Sequence, residues 1–120
     1  LADLVQAYAA LANGGNAVTL VDGVHGVRAP YRLNAVLSAK AAWQVGDILS
    51  GVPVPAASAP RPIAYKTGTS YGYRDAWSVG YDGRHVLGVW VGRPDGGSVP
   101  GLTGYLAAAP ILAMPPVLAA

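Results

Sequence analysis

Apolar residues recur at helical spacing from the first position of the chain. Leu1, Leu4, Val5, Tyr8, Leu11 and Ala12 share one face of a helix of about three to four turns. Asn13-Gly14-Gly15 follows, supplying residues that tolerate positive φ where that helix must stop. No Ser, Thr, Asp or Asn precedes the repeat to cap it. From Ala17 to Arg28 two short apolar runs flank Asp22-Gly23, a pair suited to a type I′ turn, and this predicts a small hairpin. Ser38 then caps a second helix running to about Leu49, with Ala42, Val45 and Leu49 on one face, Trp43 and Ile48 at its edge, and Ser50-Gly51 at its end.

Between Val52 and Pro62, the prolines at 53, 55, 60 and 62 exclude regular structure and predict a surface connection. Ile63 to Ser70 reads as a strand, Tyr71-Gly72-Tyr73 as a turn, and Ala76 to Tyr81 and Val86 to Gly92 as two further strands joined at Asp82-Gly83. Along the middle strand Trp77, Val79 and Tyr81 alternate with Ala76, Ser78 and Gly80, and a row of such small residues lets a helix pack close to a sheet. Gly88 and Gly92 repeat that feature on the next strand. Thr103 caps a last helix to about Met114, distorted at Pro110. The order predicts an α+β fold: an antiparallel sheet of three main strands plus a small hairpin, covered by helices.

Composition narrows the function classes. At 120 residues, 52% hydrophobic and 12% charged, the chain has the makeup of a packed domain or of one lobe of a larger one. The net charge of +2 comes from scattered residues with no basic run that could track a phosphate backbone, which argues against nucleic acid as a partner. No apolar stretch reaches the roughly 18 to 20 residues needed to span a bilayer, so no membrane contact is expected from this segment. Cysteine is absent, which excludes disulfides and thiolate-bound metals but fits the cytoplasm and the bacterial periplasm alike. His25 and His85 each stand beside an Asp-Gly pair without a second ligand at metal spacing, and read as solvent-facing hairpin residues; no metal or other cofactor is expected. The chain has no initiating Met, and residue 1 falls inside an amphipathic repeat, which together suggest a fragment.

The candidate chemistry lies at Lys66-Thr67-Gly68-Thr69-Ser70. Lys-Thr-Gly arises by chance in roughly 3% of sequences of this length, and the second Thr lowers that about twentyfold. A Lys-Thr-Gly strand is one element of penicillin-interacting serine enzymes, whose other elements, Ser-x-x-Lys and Ser-x-Asn, occur nowhere in these 120 residues. The stretch from Tyr65 through Tyr81 resembles class A penicillin-binding proteins, most similarly the 1C type. So do Ala7 to Gly15, Val89 to Gly96 and Ala108 to Leu112. The likeness is weakest from Asn16 to Asn34 and across the proline-rich connection.

The resemblance implies a C-terminal portion of a peptidoglycan D,D-transpeptidase domain, of the fold shared with β-lactamases, with the nucleophile-bearing half and any glycosyltransferase domain lying outside these residues. It implies stem peptides ending in D-Ala-D-Ala, and β-lactams, as partners, along with the remainder of the same polypeptide. The implied location is the periplasmic face of the bacterial inner membrane. Lys66 and Thr69 are the implied catalytic residues: the Lys66 cation serves a proton-relay hydroxyl and an incoming carboxylate, and the Thr69 amide is an oxyanion donor. Thr67, Gly68, Thr69 and Ser70 are implied to bind substrate, the hydroxyls through its carboxylate and Gly68 by leaving room for its backbone.

Plainer readings stand beside these. A strand Lys is ordinarily a solvated edge residue, and Ser70 fits simple packing as well as support of the site. Tyr71, Tyr73 and Arg74 are candidates for lining the cleft mouth, but Tyr71 and Tyr73 also fit covers for a core edge, and Arg74 fits an ion pair with Asp75 that orients the turn. Trp77 and Trp90 read as core. Rival functions are a β-lactamase or β-lactam sensor, and a non-catalytic fragment that binds peptide or packs against another protein. A three-stranded sheet with free edges also suggests self-association.

Overall fold

The structure, a computed structural model, describes residues 1–21, 34–55 and 62–114. Helix α1 (Ala2–Ala12) forms without a side-chain cap. It ends where Gly14 and Gly15 take φ of 65° and 90°. Gly15 is required twice over, because a Cβ there would also sit 2.2 Å from the Leu37 carbonyl oxygen. That close approach lets the Gly15 carbonyl accept the amides of Val36 and Leu37, while the Ala17 amide donates to Asn34, so the ends of the 17–34 segment are tied together. The expected hairpin turn at Asp22-Gly23, and His25 after it, lie outside the described residues; the described residues 17–21 are not strand.

Helix α2 (Ala39–Ser50) begins as its sequence dictates, with the Ser38 hydroxyl accepting the Ala41 amide at 3.0 Å. Its expected apolar face is buried in part. Ala42 and Leu49 are covered, whereas Trp43 and Ile48 are 70% and 72% exposed. The chain then runs without regular structure through Val52–Pro55, as its prolines require.

Strands β1 (Ala64–Thr69), β2 (Asp75–Tyr81) and β3 (Val86–Gly92) form an antiparallel sheet in the order β1-β2-β3. A π-helical turn at Gly104–Ala108 leads into helix α3 (Ala109–Leu112), with Thr103 capping through its hydroxyl to Leu106 N–H. Pro110 has no N–H to give to Leu106, and its ring crowds that carbonyl; the widened turn lies directly before it, so the expected distortion takes the form of a π turn. Helices thus lie on both faces of the sheet, giving the α+β architecture the sequence predicts. Among the described residues, no helix is long and apolar enough to cross a membrane.

The small-residue row on β2 does what its pattern suggests. Ala76 and Ser78 are fully buried, and on this face Ile63 and Tyr65 pack with Ala109 and Leu112, flanked by Val52, Val54, Leu87 and Val89. The Tyr65 hydroxyl donates to the Pro53 carbonyl, tying the proline-rich connection to the sheet. On the opposite face α1 rests on Gly88, where a Cβ would come within 2.4 Å of Val5.

The β2–β3 hairpin turns at Asp82-Gly83 as its sequence suggests, but its closure does not depend on the glycine. Asp82 N–H bonds to the His85 carbonyl, so Gly83 and Arg84 are the central residues, and Gly83 needs no positive φ. The Asp82 carboxylate organises the turn instead, accepting the amides of Arg84 and His85 at 2.7 Å each. Burial works against its charge, but these two amides and the His85 imidazole outweigh it and hold the carboxyl below its ordinary range. His85 is accordingly half-buried against Asp82, not free in solvent.

Gly80 faces Tyr65 so closely that a Cβ would lie 2.6 Å from the Tyr65 Cβ. Gly80→Ala is expected to destabilise the chain by about 1–3 kcal/mol through overpacking. Ser78→Ala, on the same face, removes a buried hydroxyl that has no hydrogen-bond partner among the described residues and is expected to leave stability unchanged or raise it. Urea midpoints of the two variants against the parent chain check both.

Candidate functional site

Strand β1 carries Lys66 to Thr69, and its alternation separates their side chains. Tyr65, Thr67 and Thr69 share the face covered by the π turn and α3, while Lys66 and Gly68 share the face of Trp77 and α1. Lys66 is exposed beside a shallow hollow of about 270 Å³ lined by Leu4, Tyr8, Thr67, Gly68, Trp77 and Val79. Its Nζ turns back to the strand edge, donating to the Thr67 carbonyl at 2.5 Å. A larger hollow of about 730 Å³ lies away from these residues, between α1, α2 and the β2–β3 turn. Size therefore does not pick out the site.

Backbone geometry brings the pieces together at the outer edge of β1. Ser70 N–H bonds to the Asp75 carbonyl at 3.0 Å, making those two a hydrogen-bonded pair. Bonded and non-bonded pairs alternate along an antiparallel ladder, so Gly68 and Lys66 also turn their amides toward β2. The amides of Thr67 and Thr69 consequently point out of the sheet, where no strand pairs with β1 among the described residues. The Thr69 hydroxyl, on the face of the π turn, accepts the Gly104 amide at 2.9 Å.

Ser70 is used to close the turn, its Oγ accepting the Asp75 amide at 2.8 Å. Tyr71 projects from the turn at 98% exposure and covers no core edge; Tyr73 is exposed at φ 56°, and Arg74 is exposed beside it. These three lie beyond the end of β1, in the turn that leads into β2. Arg74 does not close the expected ion pair: the Asp75 carboxylate accepts the Trp90 indole N–H at 2.8 Å instead. Trp90 is 40% exposed and is not core.

The Trp90–Asp75 bond is the feature that sequence reasoning missed. Asp75 pairs with Gly92 and Trp77 with Trp90, so Asp75 and Trp90 are diagonal neighbours on one face. Gly92 lets the indole cross, since a Cβ there would lie 2.5 Å from the ring. A signal was available in the Asp at the start of one strand and the Trp near the end of the next. The loop after β3 braces the same turn: Ser98 Oγ donates to the Gly72 carbonyl and Val99 N–H to the Tyr73 carbonyl. The Arg93–Asp95 ion pair at 2.7 Å and the Gly97 amide on Asp95 shape that loop. No group of three or more potential metal-binding side chains occurs among the described residues.

The Trp90 indole first, then the Ser70 hydroxyl and the Arg74 charge, hold the Asp75 carboxyl below its ordinary range. A carboxyl whose folded pKa is depressed contributes its stabilisation above the unfolded pKa and loses it as pH falls through the folded one. The Trp90 indole N–H resonance is therefore expected to stay constant down through the ordinary carboxylate range and to shift below it. In Asp75→Asn this acid transition should vanish.

No protein-family model matches the chain. Penicillin-binding protein 1C of Escherichia coli is 42% identical over 116 residues, covering 93% of this chain and 15% of that protein. Penicillin-binding proteins 1B of Vibrio cholerae and Haemophilus influenzae are 54% and 51% identical over 33 and 35 residues, which is 28% and 29% of this chain. The chain thus spans a small part of the length of these relatives. Identity at this level across nearly all of its 120 residues makes the chain a segment of the penicillin-binding protein family.

Proposed function

We propose that this segment supplies the substrate-binding wall of a serine-type D,D-transpeptidase acting in peptidoglycan cross-linking at the periplasmic face of the inner membrane. The observation that carries the reading is the outer edge of β1, which no strand pairs among the described residues and which presents the outward amides of Thr67 and Thr69 and the Lys66 ammonium, with the exposed Thr69 beside them. In this reading a serine from the nucleophile-bearing half attacks the carbonyl between the two D-Ala residues of a stem peptide. The C–N bond breaks, the terminal D-Ala leaves with the proton, and an acyl ester remains. An amine of a second stem peptide then attacks the ester, giving the cross-link and releasing the serine.

Each residue has a physical part in that sequence. In this reading the outward Thr69 amide donates to the developing oxyanion, and losing one such donor typically costs about 2.7–4 kcal/mol of barrier. The Lys66 cation supplies positive potential for the substrate carboxylate and for a proton-relay hydroxyl. Thr67 and Thr69 offer hydroxyl donors to the same carboxylate, or to its counterpart in a β-lactam. Gly68 leaves the strand surface open to a peptide backbone. Tyr71, Tyr73 and Arg74 stand at the mouth. Ser70 holds the turn.

Two measurements test the reading. The isolated chain is expected to take no covalent label from a tagged penicillin, because none of its serines stands in a Ser-x-x-Lys sequence. Labelling of the isolated chain would overturn this assignment of roles. A hybrid in which these 120 residues replace the matching stretch of E. coli penicillin-binding protein 1C is expected to be acylated, and Lys66→Ala in that hybrid to slow acylation by about 10²–10⁴-fold. A full acylation rate in Lys66→Ala would sink the catalytic role of the lysine.

A further inference from the structure

The π-turn glycine, Gly104, is buried and touches the candidate wall directly. As the first residue after the capping Thr103, its amide belongs to the early amides of a helical segment, which lack intrahelical acceptors. That amide donates to Thr69 Oγ1 at 2.9 Å. The approach is possible because Gly104 has no side chain: a Cβ would lie 2.5 Å from the carbonyl oxygens of both Gly68 and Trp77 and 2.9 Å from the Gly68 nitrogen. All three obstructing atoms are backbone, so no rotamer change relieves the contact. An alanine would have to lift the helical segment off the strand.

A threonine hydroxyl has one proton to give and accepts through its lone pairs. With the Gly104 N–H aimed at its oxygen, the Thr69 O–H cannot point toward Gly104 and must turn elsewhere. The Thr69 side chain is exposed, and no strand pairs with the outer edge of β1 among the described residues, so the O–H is free to point there. We propose that Gly104 is a positioning residue that presets Thr69 as a hydrogen-bond donor toward the outer edge of β1, and so selects ligands carrying a carboxylate there. This inference rests on the transpeptidase reading. It adds a residue 35 positions from Thr69 that sequence reasoning did not connect with the site.

Two experiments decide it. In the 120-residue chain, Thr69→Val is expected to raise the hydrogen-exchange rate of the Gly104 amide at least tenfold, and Thr69→Ser to restore its protection. Equal protection in Thr69→Val would overturn the proposal. In the hybrid enzyme, acylation rates are measured with a penicillin and with its carboxyl methyl ester. Gly104→Ala is expected to slow the free acid roughly tenfold and to leave the ester nearly unchanged, as loss of a hydrogen bond to a charged group would. In a Thr69→Val background Gly104→Ala should have no further effect. Equal losses on acid and ester, or additive losses in the double variant, would mean that Gly104 merely supports the fold. Should Gly104→Ala fail to fold, Thr69→Val must itself show the acid-selective loss with rescue by Thr69→Ser, and failure to do so overturns the proposal. If the unsubstituted hybrid is acylated by neither compound, the transpeptidase reading itself falls and this inference falls with it.

Discussion

Strand β1 is paired to β2 along one edge, and the alternation of that ladder sends the amides of Thr67 and Thr69 outward. Every feature of the candidate site inherits its direction from this register. Tyr65 fixes it: the ring is buried against Ala109 and Leu112, and its hydroxyl is held by Pro53. A slip of one residue would carry Tyr65 out of the core and exchange Lys66 with the threonines between the two faces of the sheet. Core packing thereby sets the positions of the polar residues that follow it on the strand.

Close packing on small residues serves the same end. Ala76, Ser78 and Gly80 let the π turn and α3 descend onto one face, while Gly88 admits α1 to the other. Because the backbones approach so nearly, a main-chain amide at Gly104 can bond a side chain on β1. Beyond the end of β1, Gly92 clears a path for the Trp90 indole to the Asp75 carboxylate, and the loop through Ser98 and Val99 holds the carbonyls of Gly72 and Tyr73. The turn after Thr69 is braced from two directions, which gives the exposed Tyr71 and Tyr73 a fixed base.

Much of this was legible beforehand where a local rule applied. The Ser38 cap, the glycine stop of α1, the three strands and the Thr103 cap each follow from a few neighbouring residues and the period of their side chains. The β2–β3 hairpin at Asp82-Gly83 was legible too, but not that the Asp82 carboxylate closes it by accepting the amides of Arg84 and His85. Trp90 was expected in the core because large aromatics bury area on average, yet its N–H found a carboxylate at the surface. Trp43 and Ile48 likewise carry an apolar pattern on α2 that the described residues leave uncovered.

The sequence alone determined the order of the described helices and strands, the α+β class and the position of the candidate run Lys66–Ser70, since these depend on spacing within short windows and on one uncommon run of residues. Tertiary structure decided which atoms of that run meet at the edge. The outward amides of Thr67 and Thr69, the return of Lys66 to the Thr67 carbonyl, and the bonds from Gly104 to Thr69 and from Trp90 to Asp75 all depend on pairing register or on contacts between distant residues. No local period encodes such contacts, because they arise once two separately specified elements are packed together.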